Sequence, residues 1–338
     1  MWDVLIVGAG PAGTTTAIKC VEAGLKVAVL ESRIFPRDRP GETLHPGIEP
    51  LLETLGVAQQ IREANFIRHD GIWVQWNNAG EFIPFGSDQK GPWLGFQAWR
   101  GTFDGILLER AKALGVEVIH PCRALRPLIN GEKVIGVATS KGDYRSRFVV
   151  DAAGGQHWLG KKLGLKINFF SSRLIAYYGY VEGNCLIENQ RPAIIADQLG
   201  WTWRAKIQPY LYQWTRLNFS EQRLASDWKP EAFQGMVTKY KTRSADVTWR
   251  LVSPCAGRGY FLVGDAAGVL DPASSHGVLK AIMSGIMAGH LIVQLVNQDA
   301  ELLIETYSQW LTNWFEHDLT ELNKMYRNHP HPPQFITL

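Results

Sequence analysis

The 338-residue chain has little cysteine, little net charge and no long apolar run, and each shortage excludes a class of function. Its four cysteines, Cys20, Cys122, Cys185 and Cys255, lie far apart. They have neither metal-ligand spacing nor the density of a disulfide scaffold, and they fit a reducing cytoplasm. A net charge of +3, from 35 basic and 32 acidic residues, is too small to argue for nucleic acid. No run of about 18 apolar residues stands out, so no membrane span is expected. The apolar N-terminus lacks a basic leader and runs straight into glycines, so it reads as a strand. His329 and His331 lie in a proline-rich tail without the further ligands that a metal needs, and no metal is expected. No internal repeat or low-complexity tract is visible. Tryptophan is abundant instead, with 13 residues. That fits either a large aromatic core or an aromatic-lined substrate surface.

What is present is organised around residues 3–31. A short branched run, Asp3–Val7, reads as a buried parallel strand. Gly8-Ala9-Gly10-Pro11-Ala12-Gly13 follows, then a small-residue helix to Gly24 and a second strand ending at Glu31. Gly8 serves the tight turn, Gly10 lets the backbone approach a pyrophosphate, and Gly13 lets the helix pack close. The helix N-terminus offers free N–H groups to phosphate. Glu31 falls about 20 residues after the glycines, where a carboxylate accepts ribose hydroxyls. It would repel a 2′-phosphate, so FAD or NAD is favoured over NADP here.

Further along, helices are expected over Ile48–Leu55, Gly105–Leu114, Val278–Val296 and Glu301–Tyr326, the last with Trp310, Trp314 and Leu322 inward. Strands are expected at Ile72–Trp76 and Glu81–Phe85 around a turn at Asn77–Gly80, at Val116–Ile119, on both sides of Asn130-Gly131, and at Phe148–Asp151. Less regular β-like sequence covers 166–251. A core strand returns at Gly259–Asp265, and the tail from Asn328 reads as loose.

Three motifs in order give the chain a resemblance. Val7–Gly13 with Glu31 is the first, Asp151-Ala152-Ala153-Gly154 the second, and Gly264-Asp265-Ala266-Ala267 with Asp271-Pro272 and Gly277 the third. Together they resemble the FAD-dependent class of para-hydroxybenzoate hydroxylase, tryptophan halogenases and geranylgeranyl reductases. The resemblance implies an α/β fold. A Rossmann-like FAD-binding domain of the glutathione-reductase type (1–70, 98–165, 252–300) would be interleaved with a small β-sheet substrate domain (71–97, 166–251). A C-terminal helix (301–327) and a tail (328–338) would follow. It implies FAD contacts from Gly8, Gly10, Pro11, Ala12, Gly13, Glu31, Ser32, Arg33, Glu42, Thr43, Ala124, Ala153, Gly154, Gly264, Asp265, Pro272, Gly277 and Val278, and from Arg100 at the pyrophosphate. With only one dinucleotide motif, NAD(P)H would visit as a transient reductant, and O2 would be the oxidant.

Within that class, Gly200-Trp201-Thr202-Trp203 resembles the Trp-x-Trp stretch of halogenases, but the continuation differs. The lysine that halogenases need is missing at Phe66–His69, and Ser274 stands where they carry a glutamate, so halogenation is disfavoured. Gly41–Gly47, Gly200–Trp203 and Tyr212–Leu217 are similar to small flavoproteins that modify lysine ε-oxidase or glycine oxidase precursors during cysteine tryptophylquinone formation. That resemblance implies hydroxylation of an electron-rich aromatic group, with tryptophan in a precursor quinoprotein oxidase as substrate, and no nucleic acid or membrane partner. Reduction of a prenyl-type molecule and a non-catalytic FAD-stabilised maturation factor stand as alternatives. His276 and His45 are the candidate catalytic groups, on loops that the resemblance places near the flavin. Each also fits a loop histidine bonded to backbone. Trp201 and Trp203 are candidate substrate-site walls that share a strand face, with burial in the core as the other reading.

Overall fold

The computed structural model describes residues 1–37, 39–76, 80–185, 191–220, 223–298 and 300–336. Strand Trp2–Val7 lies between Val27–Leu30 and Gly142–Asp151, parallel to both. Glu117–Ile119 and Tyr260–Leu262 extend the parallel sheet at its two sides. Val4, Leu5, Ile6, Val149 and Val150 have no exposed surface, as a sheet covered on both faces requires. The hairpin Ala124–Asn130 and Lys133–Thr139 continues this sheet in antiparallel register.

Helix Pro11–Glu22 packs against helix Gly277–Asn297 through small residues. A Cβ on Gly285 would lie 2.6 Å from the Ala12 carbonyl oxygen, and one on Gly289 would lie 2.7 Å from Lys19 Cβ. Helix Gly277–Asn297 has a mean hydropathy of 1.6, long and apolar enough to cross a bilayer by length and composition. Here its glycines instead dock a face of it onto the first helix.

Residues 166–251, expected to be irregular, contain long regular strands. Ile175–Glu182, Gly200–Gln208 and Leu211–Asn218 pair antiparallel in an extended sheet. Ala193–Asp197 pairs parallel with Gly71–Gln75, which unites the two sequence segments in one layer. Alternation is masked in Leu211–Asn218 because residues on both faces of the strand are buried. Of the expected turn at Asn77–Gly80, residues 77–79 lie outside the described residues. Helix Arg100–Ala113 begins at Arg100 rather than Gly105, because Arg100 and Asp104 pair across its first turn.

The C-terminal helix, Glu301–Arg327, buries Tyr307, Leu311, Phe315, Asp318, Leu322 and Tyr326. Leu322 is inward as expected, whereas Trp310 and Trp314 are half-buried at the margin of this stripe. The tail is not loose. His329 Nε2 lies 3.0 Å from the Gly200 carbonyl oxygen, Phe335 packs edge-on to Trp249, and Ile336 is buried.

Candidate active site

The glycine loop has the shape that its sequence demands. Gly8 adopts φ +107°, and a Cβ there would lie 2.4 Å from the Ala152 carbonyl oxygen. A Cβ on Gly13 would lie 2.0 Å from the Gly8 carbonyl oxygen. Both positions are closed by backbone. Gly10 differs, because the one group near its Cβ direction is the Arg37 guanidinium, at 3.3 Å. Glu31 is buried and accepts the N–H groups of Ala9 (3.0 Å) and Arg33 (2.8 Å), while the Ser32 hydroxyl lies 3.3 Å away. The second motif abuts the first. Asp151 accepts from Ala153 and Leu159 N–H, and burial pushes its carboxyl up to about 6. Ala152 and Ala153 thereby meet Gly8, with Gly154 at φ +85°. Ala124 opens the neighbouring hairpin strand, half-buried.

Arg100 was the residue expected at the pyrophosphate. Its guanidinium is buried and engaged by both Asp104 oxygens (2.8 and 3.1 Å) and the Pro40 carbonyl (2.9 Å). Burial works against its charge, yet Asp104, Glu42 and Asp265 hold its pKa above the ordinary value. Arg37, which sequence reading missed, lies closer to the glycine loop. It is 3.8 Å from Glu31 and 4.0 Å from Asp104, and its buried Nε has no hydrogen-bond partner among the described residues. The signal was the run of Arg33, Arg37 and Arg39 in a Pro/Gly loop. Burial, then Arg37 and Arg33, pulls Arg39 below its usual value. A guanidinium beside Gly10 whose buried Nε has no partner among the described residues fits a phosphate group. Arg37→Ala is expected to remove a charged hydrogen-bond donor worth about 1.5–3 kcal/mol and raise the FAD dissociation constant roughly 10- to 100-fold. Flavin fluorescence titration measures it, and an unchanged constant would assign the phosphate to another residue.

Glu42 turns inward. Its Oε1 accepts from the Tyr180 hydroxyl at 2.5 Å and its Oε2 from Gly41 N–H, while Thr43 donates to Gln97. Burial pushes the Glu42 carboxyl from 4.5 up to about 7. A raised folded-state pKa stabilises the protein below the unfolded value, and that stability is lost as pH rises through the folded value. Glu42→Gln keeps the geometry without the titration. The stability of the native chain relative to this variant should therefore fall by about 2–3 kcal/mol as pH rises from about 4.5 to above 7. Denaturant melts across that window read the difference, and parallel curves would place Glu42 in a wetter setting.

The third motif ends in a buried network. Asp271 accepts from Ala273 N–H (2.9 Å), Trp249 Nε1–H (2.7 Å) and the Tyr326 hydroxyl (2.8 Å). The Tyr326 oxygen in turn accepts from Trp201 Nε1–H at 2.8 Å. Burial pushes Asp271 up to about 6. Trp201 and Trp203 do share a strand and join one cluster with Leu322 and Tyr326. Trp201 is 1% exposed, so it belongs to the core and is no open cavity wall; Trp203 is partly buried beside it. Asp265 is half-exposed beside Lys280, whose ammonium donates to the Gly268 carbonyl oxygen. Gly264 has φ +57° and its N–H donates to Ser284. Pro272–Ser274 forms one tight turn, and His276 caps the helix that Gly277 and Val278 begin.

Here the structure brings the two candidate histidines together. The rings of His276 and His45 lie 6.1 Å apart, edge to face, and His45 also meets Phe85 at 5.3 Å. His45 Nδ1 accepts from Gly47 N–H, and burial, then His276, lowers its pKa. His45 thus has the backbone bond of the alternative reading. His276 instead has a carboxylate partner, Asp318 Oδ1, 3.1 Å from its Nδ1. Asp318 was missed by sequence reading, although an acid on the apolar stripe of an amphipathic helix was its signal. No cluster of metal-binding side chains exists among the described residues.

A mixed α/β fold with a glycine loop, a buried acid at the end of the second strand and a further glycine-containing loop beside a buried Asp is the arrangement of a dinucleotide-binding protein. The FAD binding domain family matches residues 1–313, and the chain belongs to that family. It is 26% identical to a tryptophan 2-halogenase of Chondromyces crocatus, over 90% of this chain and 63% of that protein, so it spans less than two thirds of that relative. It is 27% identical to digeranylgeranylglycerophospholipid reductase 1 of Methanopyrus kandleri, over 88% of this chain and 82% of the reductase. The myxobacterial chondrochloren halogenase CndH shares the fold, with a TM-score of 0.87 at 23% identity over 96% of this chain and 82% of that one. Over most of its length the chain is thus similar to FAD-dependent halogenases and to a prenyl-lipid reductase, which are oxidoreductases.

Proposed function

We propose that this enzyme places oxygen on an electron-rich aromatic ring, and that its substrate is a tryptophan side chain in a precursor quinoprotein oxidase in the cytoplasm. The observation that carries the reading is the half-exposed His276 at the start of the flavin-loop helix, its ring set against His45. The glycine loop and Arg37 would hold the FAD pyrophosphate, Glu31 the adenosine ribose, and Asp265 the hydroxyls of the chain that leads to the flavin. The backbone N–H groups opening helix Gly277–Asn297 would face the flavin ring, where they favour negative charge. FAD bound there would supply the redox chemistry, with NAD(P)H as the transient reductant and O2 as the oxidant.

When a ring carbon of the substrate gains oxygen, its proton must leave. In this reading His276 would accept that proton and return it to water. His45, whose pKa burial and then His276 lower, and Phe85 offer ring faces against which an indole can lie. Ser274 sits where halogenases carry a glutamate, and its hydroxyl is turned back to the Asp271 carbonyl oxygen, which supports hydroxylation over halogenation. The test is to incubate the FAD-loaded protein with NAD(P)H, air and a tryptophan-bearing oxidase precursor. The expected result is a precursor heavier by one oxygen atom, with O2 uptake coupled to NAD(P)H oxidation. The 27% identity to a prenyl-lipid reductase supports the second reading, reduction of an unsaturated small molecule. Anaerobic NAD(P)H oxidation with loss of a substrate double bond would establish it and overturn the first.

A further inference from the structure

We propose that Asp318, on the C-terminal helix, is a positioning residue that fixes His276 as the Nδ1–H tautomer and so leaves Nε2 as its basic nitrogen. The role assigned to that nitrogen rests on the hydroxylase reading; the tautomer does not. Asp318 is 5% exposed, and its Oδ1 lies 3.1 Å from His276 Nδ1. A carboxylate accepts hydrogen bonds and an imidazole N–H donates one, so this contact puts the shared proton on Nδ1 and, in the neutral ring, leaves Nε2 bare. The other ring nitrogen is then a lone-pair acceptor on a side chain 36% exposed. This is the logic by which a carboxylate orients a histidine base on many unrelated folds.

The placement is not incidental to packing. Asp318 occupies a core position between Phe315 and Leu322 on the buried stripe of Glu301–Arg327, where an apolar residue would satisfy burial at less cost. The helix that carries it also carries Tyr326, which grips Asp271 in the same loop. His276 and Asp271 are therefore held from one rigid element, and the loop between them is clamped at both ends.

The decisive measurement uses FAD-loaded protein labelled with 15N-histidine, without substrate. Correlation spectra of the His276 ring, assigned by its loss in His276→Gln, should show a protonated Nδ1 and a bare Nε2. In Asp318→Ala the ring should revert to the Nε2–H form that histidine favours in water, and Asp318→Glu should restore the native pattern. A native ring with Nε2 protonated, or an Asp318→Ala ring that keeps Nδ1–H, would overturn the proposal. Turnover of the tryptophan-bearing precursor is read on the same samples. Asp318→Ala should lower kcat by about 10²-fold or more with KM and FAD content held. A loss of activity that tracks loss of folded protein, with the tautomer unmoved, would reduce Asp318 to a packing residue. If the tautomer responds as expected while even the native protein transfers no oxygen, the hydroxylase reading fails and the placement of the proton stands.

Discussion

A Gly13→Ala protein is expected to lose FAD and to fold poorly. The added Cβ would lie 2.0 Å from the Gly8 carbonyl oxygen, a backbone atom that no rotamer change can move. The helix from Pro11 would have to lift off the sheet, and Gly285, already 2.6 Å in Cβ direction from Ala12 oxygen, leaves no room behind it. Overpacking of this kind costs on the order of 1–3 kcal/mol before any ligand is lost. Gly10→Val separates binding from folding. Its side chain meets only the mobile end of Arg37, so the fold should survive while the space for phosphate is filled. Flavin absorbance and thermal unfolding, taken on both variants, should show Gly13→Ala failing in both and Gly10→Val failing in flavin alone. A yellow Gly10→Val protein would show that the phosphates lie elsewhere.

Asp271→Ala is expected to be the most destabilising change at the second loop. It strands two buried donors, Trp249 Nε1–H and the Tyr326 hydroxyl, and unties the turn that begins at Pro272. Leaving such groups unpaired costs about 2–5 kcal/mol in sum. Tyr326→Phe removes one donor while Trp249 keeps its acceptor, so it should cost less, although it frees Trp201 Nε1. Denaturant melts rank the two variants. Equal stability of Asp271→Ala and the native chain would mean that water reaches this network.

The FAD half of the molecule was legible because its constraints are local and steric. Gly8, Gly13 and Glu31 declare themselves by spacing, and the structure gives each a backbone reason. The strands of residues 166–251 were legible only as β-like sequence and not as regular elements. In Leu211–Asn218 every residue is buried, so the alternation that marks a half-exposed strand is absent. The placing of His45 and of His276 on loops near the flavin rested on resemblance, and the contact of their rings joins loops more than 200 residues apart. Arg37 and Asp318 escaped for another reason. A charged residue in a loop or on a helix reads as solvated until its neighbours are known, and only burial reveals that Arg37 is unsatisfied and that Asp318 has a partner. The bond of Arg100 to Asp104 was hidden by the same gap, since the spacing of four is visible only once the helix is known to start at Arg100.

The helix Glu301–Arg327 gives the loop at 271–276 an order of assembly. Asp318 and Tyr326 are synthesised after the residues that they hold, so a nascent chain exposing the glycine loop and even Asp271 still lacks the grip on both. Domains form as their segments emerge from the ribosome. The dinucleotide cradle can therefore be ready early, while His276 gains its proton partner only when the later helix docks. FAD captured before that moment would sit in a protein whose His276 still lacks its carboxylate partner.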